Sequence, residues 1–187
     1  MEVRNYINGK FIDSISKKNV AVINPANQNT VGFIDEALDD EIELAYLAAS
    51  NSFNKRVLQD MDPVAKSQMM RAIANKLRDY KNIGAKILSQ ENGKTIEQCE
   101  GEFDGAASIF DYYAGLTDKI ENKLIPSSKD SFNYIVLEPY GVSLQIVPWN
   151  YPISLFARSV AVSLVVGNTV VIKPPELCPI SSNIFGT

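Results

Sequence analysis

The sequence predicts an α/β fold, and three observations carry that reading. Residues 142–147 read as a buried strand of β-branched side chains, and residues 169–173, short and almost wholly apolar, suit the interior of a parallel sheet covered on both faces. The segment between them places Ile153, Phe156, Val160, Ala161 and Leu164 at helical spacing. Upstream, helical periodicity dominates from residue 39 to about 115, and strand signals sit before and after it.

The chain begins with strand pairs. Tyr6-Ile7-Asn8-Gly9-Lys10-Phe11-Ile12 is a hairpin signal, because Asn-Gly accepts the positive φ angles of a type I′ turn and apolar residues flank it. Residues 20–24 and 31–34 form a second pair around Pro25-Ala26-Asn27-Gln28-Asn29. Together these predict one small antiparallel element.

Four helical stretches follow. Asp39 or Asp40 can cap a helix whose apolar face is Ile42, Ala45, Tyr46, Ala49 and Phe53. Asp62-Pro63 is an N-cap followed by proline at the first helical position, where the missing N–H is harmless, and the stripe Met69, Met70, Ile73, Leu77 continues from it. A third helix is expected over 83–91, stopped at Asn92-Gly93 by a left-handed residue. Thr95-Ile96-Glu97-Gln98 has capping-box form and opens a long helix to about Gly115, with Phe103, Ala107, Phe110, Tyr113 and Ala114 on its buried face.

Then the period changes. The charged, serine-rich stretch 121–130 suits an exposed excursion, 132–138 a strand, and Pro139-Tyr140-Gly141 a turn. The strand 142–147, the helix stopped by Gly167-Asn168 and the strand 169–173 make one right-handed βαβ crossover, the unit of nucleotide-binding sheets. Pro179-Ile180-Ser181-Ser182 reads as the start of a further helix.

Composition narrows the function classes. Hydrophobic residues are 45% and charged residues 21%, enough to bury a core, and the net charge of −4 gives nucleic-acid binding no electrostatic support. The absence of histidine removes Ser-His and Cys-His nucleophile pairs and Cys/His zinc sites, so no metal is expected. Two cysteines, Cys99 and Cys178, make no disulfide framework. With no apolar run of membrane-spanning length and no secretory leader at the start, a reduced cytoplasmic setting and no membrane partner are expected.

Two junctions fall at carboxyl ends of strands, where open α/β sheets bind ligands. Ile146-Val147-Pro148-Trp149-Asn150-Tyr151-Pro152 is a stiff turn presenting a side-chain amide; it reads equally as a connector whose Trp149 fills a gap in the core. Ile172-Lys173-Pro174-Pro175-Glu176 holds a cation and a carboxylate three residues apart, suited to ribose hydroxyls or simply to solvent. No G-x-G-x-x-G fingerprint is present.

Those two junctions, joined through Gly167-Asn168-Thr169-Val170-Val171-Ile172-Lys173, resemble the NAD(P)-dependent aldehyde dehydrogenase superfamily in residues and in spacing. Tyr6-Ile7-Asn8-Gly9-Lys10, Glu91-Asn92-Gly93-Lys94 and Phe110-Asp111-Tyr112-Tyr113-Ala114-Gly115 add to the resemblance, which covers essentially the whole chain as the amino-terminal portion of such an enzyme.

The resemblance implies a partial Rossmann-like cofactor domain with amino-terminal antiparallel hairpins and a protruding oligomerisation hairpin. Residues 1–120 would hold the hairpins and helices, 121–139 the oligomerisation segment and 140–187 the first βαβ unit. Asn150 matches the asparagine whose amide helps form the oxyanion hole. Ile146, Val147, Pro148 and Trp149 match the cofactor-lining turn, Lys173 and Glu176 the residues that hold the adenosine ribose, and Tyr151 a wall of the substrate tunnel. Glu176 would repel a 2′-phosphate, so NAD is expected ahead of NADP. The complete enzyme would oxidise an aldehyde to a carboxylic acid and form a homo-oligomer through the hairpin.

Departures from the family are Ser159, preceded by Arg158, where a lysine is common, and Pro175, where a small residue is usual. The family's nucleophilic cysteine and glutamate base are expected beyond residue 187, so the chain by itself is expected to be inactive. Cys99 lies in a helix among Glu97, Glu100 and Glu102, and Cys178 follows the ribose-binding loop; both read as structural thiols. The alternative reading is a non-catalytic oligomerisation or regulatory module from a split or interrupted gene.

Overall fold

The computed structural model describes residues 2–16 and 18–186. Strand β1 (Glu2–Val3) leads into the hairpin β2 (Asn5–Ile7) and β3 (Lys10–Ile12), whose turn residues Asn8 and Gly9 take φ of 51° and 77°. Both values are positive, as a type I′ turn requires. The second pair, β4 (Asn19–Ile23) and β5 (Thr30–Asp35), is antiparallel with a bulge after Val22.

The single antiparallel element expected from the sequence is in fact two sheets. β2 and β3 stand alone, whereas β1 adds to β5 in parallel to make the order β1-β5-β4. A two-residue strand carries no alternation to read, so its pairing is invisible in the sequence.

Helix α1 (Asp39–Asn54) starts one residue earlier than expected, with Leu38 at the N-cap position. Glu41 replaces a capping aspartate: its carboxylate accepts from the Leu38 N–H at 2.9 Å. Asn5 and the Ser14 hydroxyl also donate to it, at 3.2 and 3.3 Å. The face expected to be buried is so only in part: Ala49 is buried and Ala45 and Phe53 partly so, but Ile42 and Tyr46 are half-exposed and Glu41 takes a buried place instead.

The two helices expected over 63–91 are one. α2 (Pro63–Asn92) runs unbroken from the Asp62 cap, whose side chain accepts from the Val64 and Ala65 N–H groups, to the left-handed Gly93. No proline interrupts residues 79–83. The mid-helix Gly84 serves packing, because a Cβ there would stand 2.3 Å from Cζ of Phe103. Helix α3 (Ile96–Ala114) therefore lies close against α2, its Thr95 capping box formed in full.

Beyond α3, β6 (Lys123–Ile125) pairs antiparallel with β7 (Asn133–Ile135), and every residue of both strands is exposed. β6 lies inside the stretch read from its composition as a loop. β8 (Val142–Ile146), helix α4 (Pro152–Val165) and β9 (Thr169–Lys173) follow, and β8 and β9 are parallel neighbours. The further helix expected to start near Pro179 follows as a 3₁₀ helix (Ile180–Gly186).

The core joins the inner faces of α2, α3 and α4: Met70, Leu77, Leu88, Phe103, Phe110, Ile153, Phe156 and Val160 are all buried. β8, expected to be a buried strand, is not one, because its Leu144 and Ile146 are 61% and 71% exposed. Among the described residues no helix is long and apolar enough to cross a membrane.

Candidate functional site

Parallel pairing decides which residues meet at the sheet's end. Register sets Ile146 opposite Lys173, and the Val147 N–H donates to the Lys173 carbonyl at 3.1 Å, so both chains leave β8 and β9 side by side. The turn 147–151 and the loop 174–178 therefore start from the same edge of the sheet.

On the first turn Val147 is buried, while Pro148, Trp149, Asn150 and Tyr151 are exposed. Trp149, 56% exposed, does not fill a gap in the core, which removes the connector reading given above as the alternative. Ile146 at the strand's last position is more open still. On the second loop the Lys173 ammonium and the Glu176 carboxylate pair at 2.5 Å, both largely exposed. The hydrogen bond from Lys173 is the first cause of a Glu176 carboxyl held below its usual range. Pro175 is buried, anchoring the loop between its two exposed charges.

Tyr151 occupies the N-cap position of α4 without making a side-chain cap. Glu102 of α3 takes that role, accepting from the Ile153 and Ser154 N–H groups at 2.9 and 3.2 Å. Lys94 neutralises the buried Glu102 at 2.6 Å, and the same ammonium lies 3.8 Å from the centre of the Tyr151 ring. A cation over an aromatic face is attractive, so Lys94 ties the cap to the turn. Ser159 turns its hydroxyl back to the Leu155 and Phe156 carbonyls and takes no part in the turn.

The residues that hold this region from behind were missed as functional positions. Asn92, at the end of α2, donates to the Trp149 carbonyl at 2.7 Å and to the Cys178 sulfur at 3.5 Å. Glu91 accepts from the Ile180 and Ser181 N–H groups at 2.7 and 2.8 Å. A signal was available: Glu91 follows Gly84 and Leu88 on the buried stripe of α2, and Glu102 lies between Cys99 and Ala106 on that of α3. A carboxylate on an apolar stripe must find donors.

Both cysteines are buried and unbridged. Burial pushes each thiol up to about 11. For Cys99 the secondary influences are Lys94, which lowers it, and Glu102 and Glu91, which raise it, so that of the Glu97-Glu100-Glu102 group suggested by the sequence Glu102 acts. A cavity of about 290 Å³ lies between α2 and Phe185, lined by Met69, Ile73, Leu77 and Tyr80 among others, none of them a residue of these loops.

The family model described as the aldehyde dehydrogenase family matches residues 11–187. The chain belongs to the aldehyde dehydrogenase family. It is 32% identical to an aldehyde dehydrogenase from Alternaria alternata across 96% of this chain and 36% of that protein. It is 33% identical to the betaine aldehyde dehydrogenase of Bacillus subtilis (strain 168) across 95% and 36%.

A variant of the aldehyde dehydrogenase from Bacillus cereus superposes with a TM-score of 0.94 at 30% identity, covering 100% of this chain and 38% of that one. Betaine aldehyde dehydrogenase from Staphylococcus aureus, solved in complex with NAD+, gives 0.93 at 33% identity, covering 97% and 37%. The chain thus spans a little over a third of the length of these aldehyde dehydrogenases.

Proposed function

We propose that this chain supplies the cofactor-facing part of an aldehyde dehydrogenase site, with NAD preferred and NADP a weaker alternative. The observation that carries the reading is the register of β8 and β9, which starts the Asn150 turn and the Glu176 loop from one edge. The residues suit the group. Lys173 and Glu176 are largely exposed and paired with each other, so ribose hydroxyls can reach both as partners. Ile146 and Trp149 offer open apolar surface for a planar ring, beside Val147 and Pro148. When bound, NAD would supply the hydride acceptor.

The remaining steps belong to this chain's side chains. Asn150 presents its amide at the carboxyl end of β8, where it can donate to the oxyanion left when a thiolate adds to an aldehyde carbonyl. A donor so aimed is worth about 3 kcal/mol. Tyr151, held by Lys94, walls the approach to that amide. Neither cysteine can be the attacking thiolate, because both are buried and protonated near neutrality. The nucleophile and the base are therefore supplied by other residues of the complete enzyme, which oxidises an aldehyde to a carboxylic acid in the cytoplasm, and this chain alone does not turn over.

Within that scheme residues 1–120 and 140–187 are the cofactor domain's share. Residues 121–139 are a hairpin that joins copies into a homo-oligomer, supported by the exposed Leu124, Phe132, Tyr134 and Ile135.

Calorimetric titration of the purified chain tests the cofactor reading. NAD binds, and Glu176→Ala or Lys173→Ala weakens it about tenfold, the worth of one charge-assisted hydrogen bond. NADP binds less well than NAD, and Glu176→Gln narrows the gap, since Glu176 stays ionised and opposes a 2′-phosphate. Equal NAD affinity in the wild type and both alanine variants contradicts the assignment.

A further inference from the structure

The tetrad that ends α2 touches both junctions at once. Asn92 donates to the carbonyl of Trp149 at 2.7 Å and to the Cys178 sulfur at 3.5 Å, while the Cys178 thiol donates to that same carbonyl at 3.3 Å. The three groups close a triangle across segments far apart in sequence: the end of α2, the turn after β8 and the loop after β9. On one side of it Glu91 clamps the start of the 3₁₀ helix, and on the other Lys94 holds Glu102 and the Tyr151 ring. Gly93, at φ 87°, reverses the chain so that Lys94 leaves the helix axis.

We propose that Asn92 is a positioning residue for the crevice, fixing the peptide that joins Trp149 to Asn150 at a set distance from the loop carrying Lys173 and Glu176. The inference rests on the reading of Asn150 and Glu176 as parts of one site. The residue type matters. The Trp149 carbonyl belongs to the peptide unit that includes the Asn150 N–H, so pinning its oxygen orients the backbone from which the Asn150 amide projects. An amide offers two donors, and the two atoms it faces are an oxygen and a sulfur able to accept. An aspartate there would set a carboxylate against both. The carbonyl is pinned twice, by amide and by thiol, so Cys178 is the second half of the device and not a bystander.

Trp149 is the chain's single tryptophan, so its emission reports this turn alone. Time-resolved anisotropy of the full 187-residue chain, well below its melting temperature, reads the local motion of the ring on the nanosecond scale. In Asn92→Asp the fast-motion amplitude rises about twofold, and NAD affinity falls about tenfold, as loss of one strong hydrogen bond implies. Circular dichroism before the transition stays that of the wild type. Cys178→Ala raises the fast motion in the same sense, and Cys178→Ser, which keeps a donor, restores it.

The two readings separate cleanly. Wild-type protein that binds no NAD defeats the cofactor assignment, and the anisotropy alone then judges the clamp. Unchanged Trp149 motion in Asn92→Asp overturns the clamp whatever NAD does. Should that variant not fold, unchanged motion in Cys178→Ala overturns it instead.

Discussion

Three buried glutamates cap helix ends that lack caps of their own. Glu41 serves α1, Glu102 serves α4 and Glu91 serves the 3₁₀ helix, each accepting backbone N–H groups at the positive end of the helix dipole. Glu102 is neutralised by Lys94, and losing one partner of such a buried pair costs several kcal/mol. Among the described residues no cation pairs with Glu91, and burial, outweighing its hydrogen bonds, pushes its carboxyl up to about 7 from 4.5. A carboxyl whose folded value is raised contributes stability that is fully present below 4.5 and is lost as pH rises through about 7. We expect the 187-residue chain to lose up to about 3 kcal/mol from this group across that window. Denaturant melts at a series of pH values check it: Glu91→Gln flattens the slope between those limits, whereas an equal slope in variant and wild type refutes the account.

Among the elements, those with strong local chemistry were legible. Asn8-Gly9, Asp62-Pro63, the Thr95 capping box and the left-handed Gly93 each behave as their side chains dictate. So does β9, whose bounds match the apolar run 169–173. What the sequence concealed depends on partners distant in the chain. Gly84 reads as a helix weakener until Phe103 is seen against it. Ile42 and Tyr46 of α1 read as part of a buried face, yet only Ala49 of that face is fully buried, its carbonyl accepting a hydrogen bond from Thr169, and Glu41 turns inward beside it. For the candidate site, the two strand ends were legible as motifs; the Asn92 and Glu91 contacts were not, since only the folded chain brings α2 behind both loops. The β6–β7 hairpin shows the same limit, because β6 is three residues long and charged at its start. In that hairpin Leu124 stands opposite Tyr134, both about two-thirds exposed. An isolated two-stranded ribbon with such a face is marginal in water and gains by association. Sedimentation velocity of the purified chain is expected to show concentration-dependent self-association, reduced by Leu124→Lys with Tyr134→Lys. A monodisperse wild-type monomer over the same range counts against the hairpin as an assembly surface.

At the scale of the whole molecule, a three-helix core supports a short parallel pair, and the residues proposed to meet the cofactor and the substrate lie where the two strands of that pair end and in the loops that leave them. The core makes the site rigid: α3 caps α4 through Glu102, α2 holds both loops through Glu91 and Asn92, and β9 is tied to α1 through Thr169. The groove between α2 and Phe185 is the competing location for a ligand, being concave and lined mainly by apolar side chains. A crystal structure of the 187-residue chain with NAD decides between them. The account predicts the adenosine ribose against Lys173 and Glu176, with the cofactor crossing Ile146 and Trp149 towards Asn150. NAD lodged in the Met69–Phe185 groove, or Asn150 and Glu176 facing separate ligands, would contradict it.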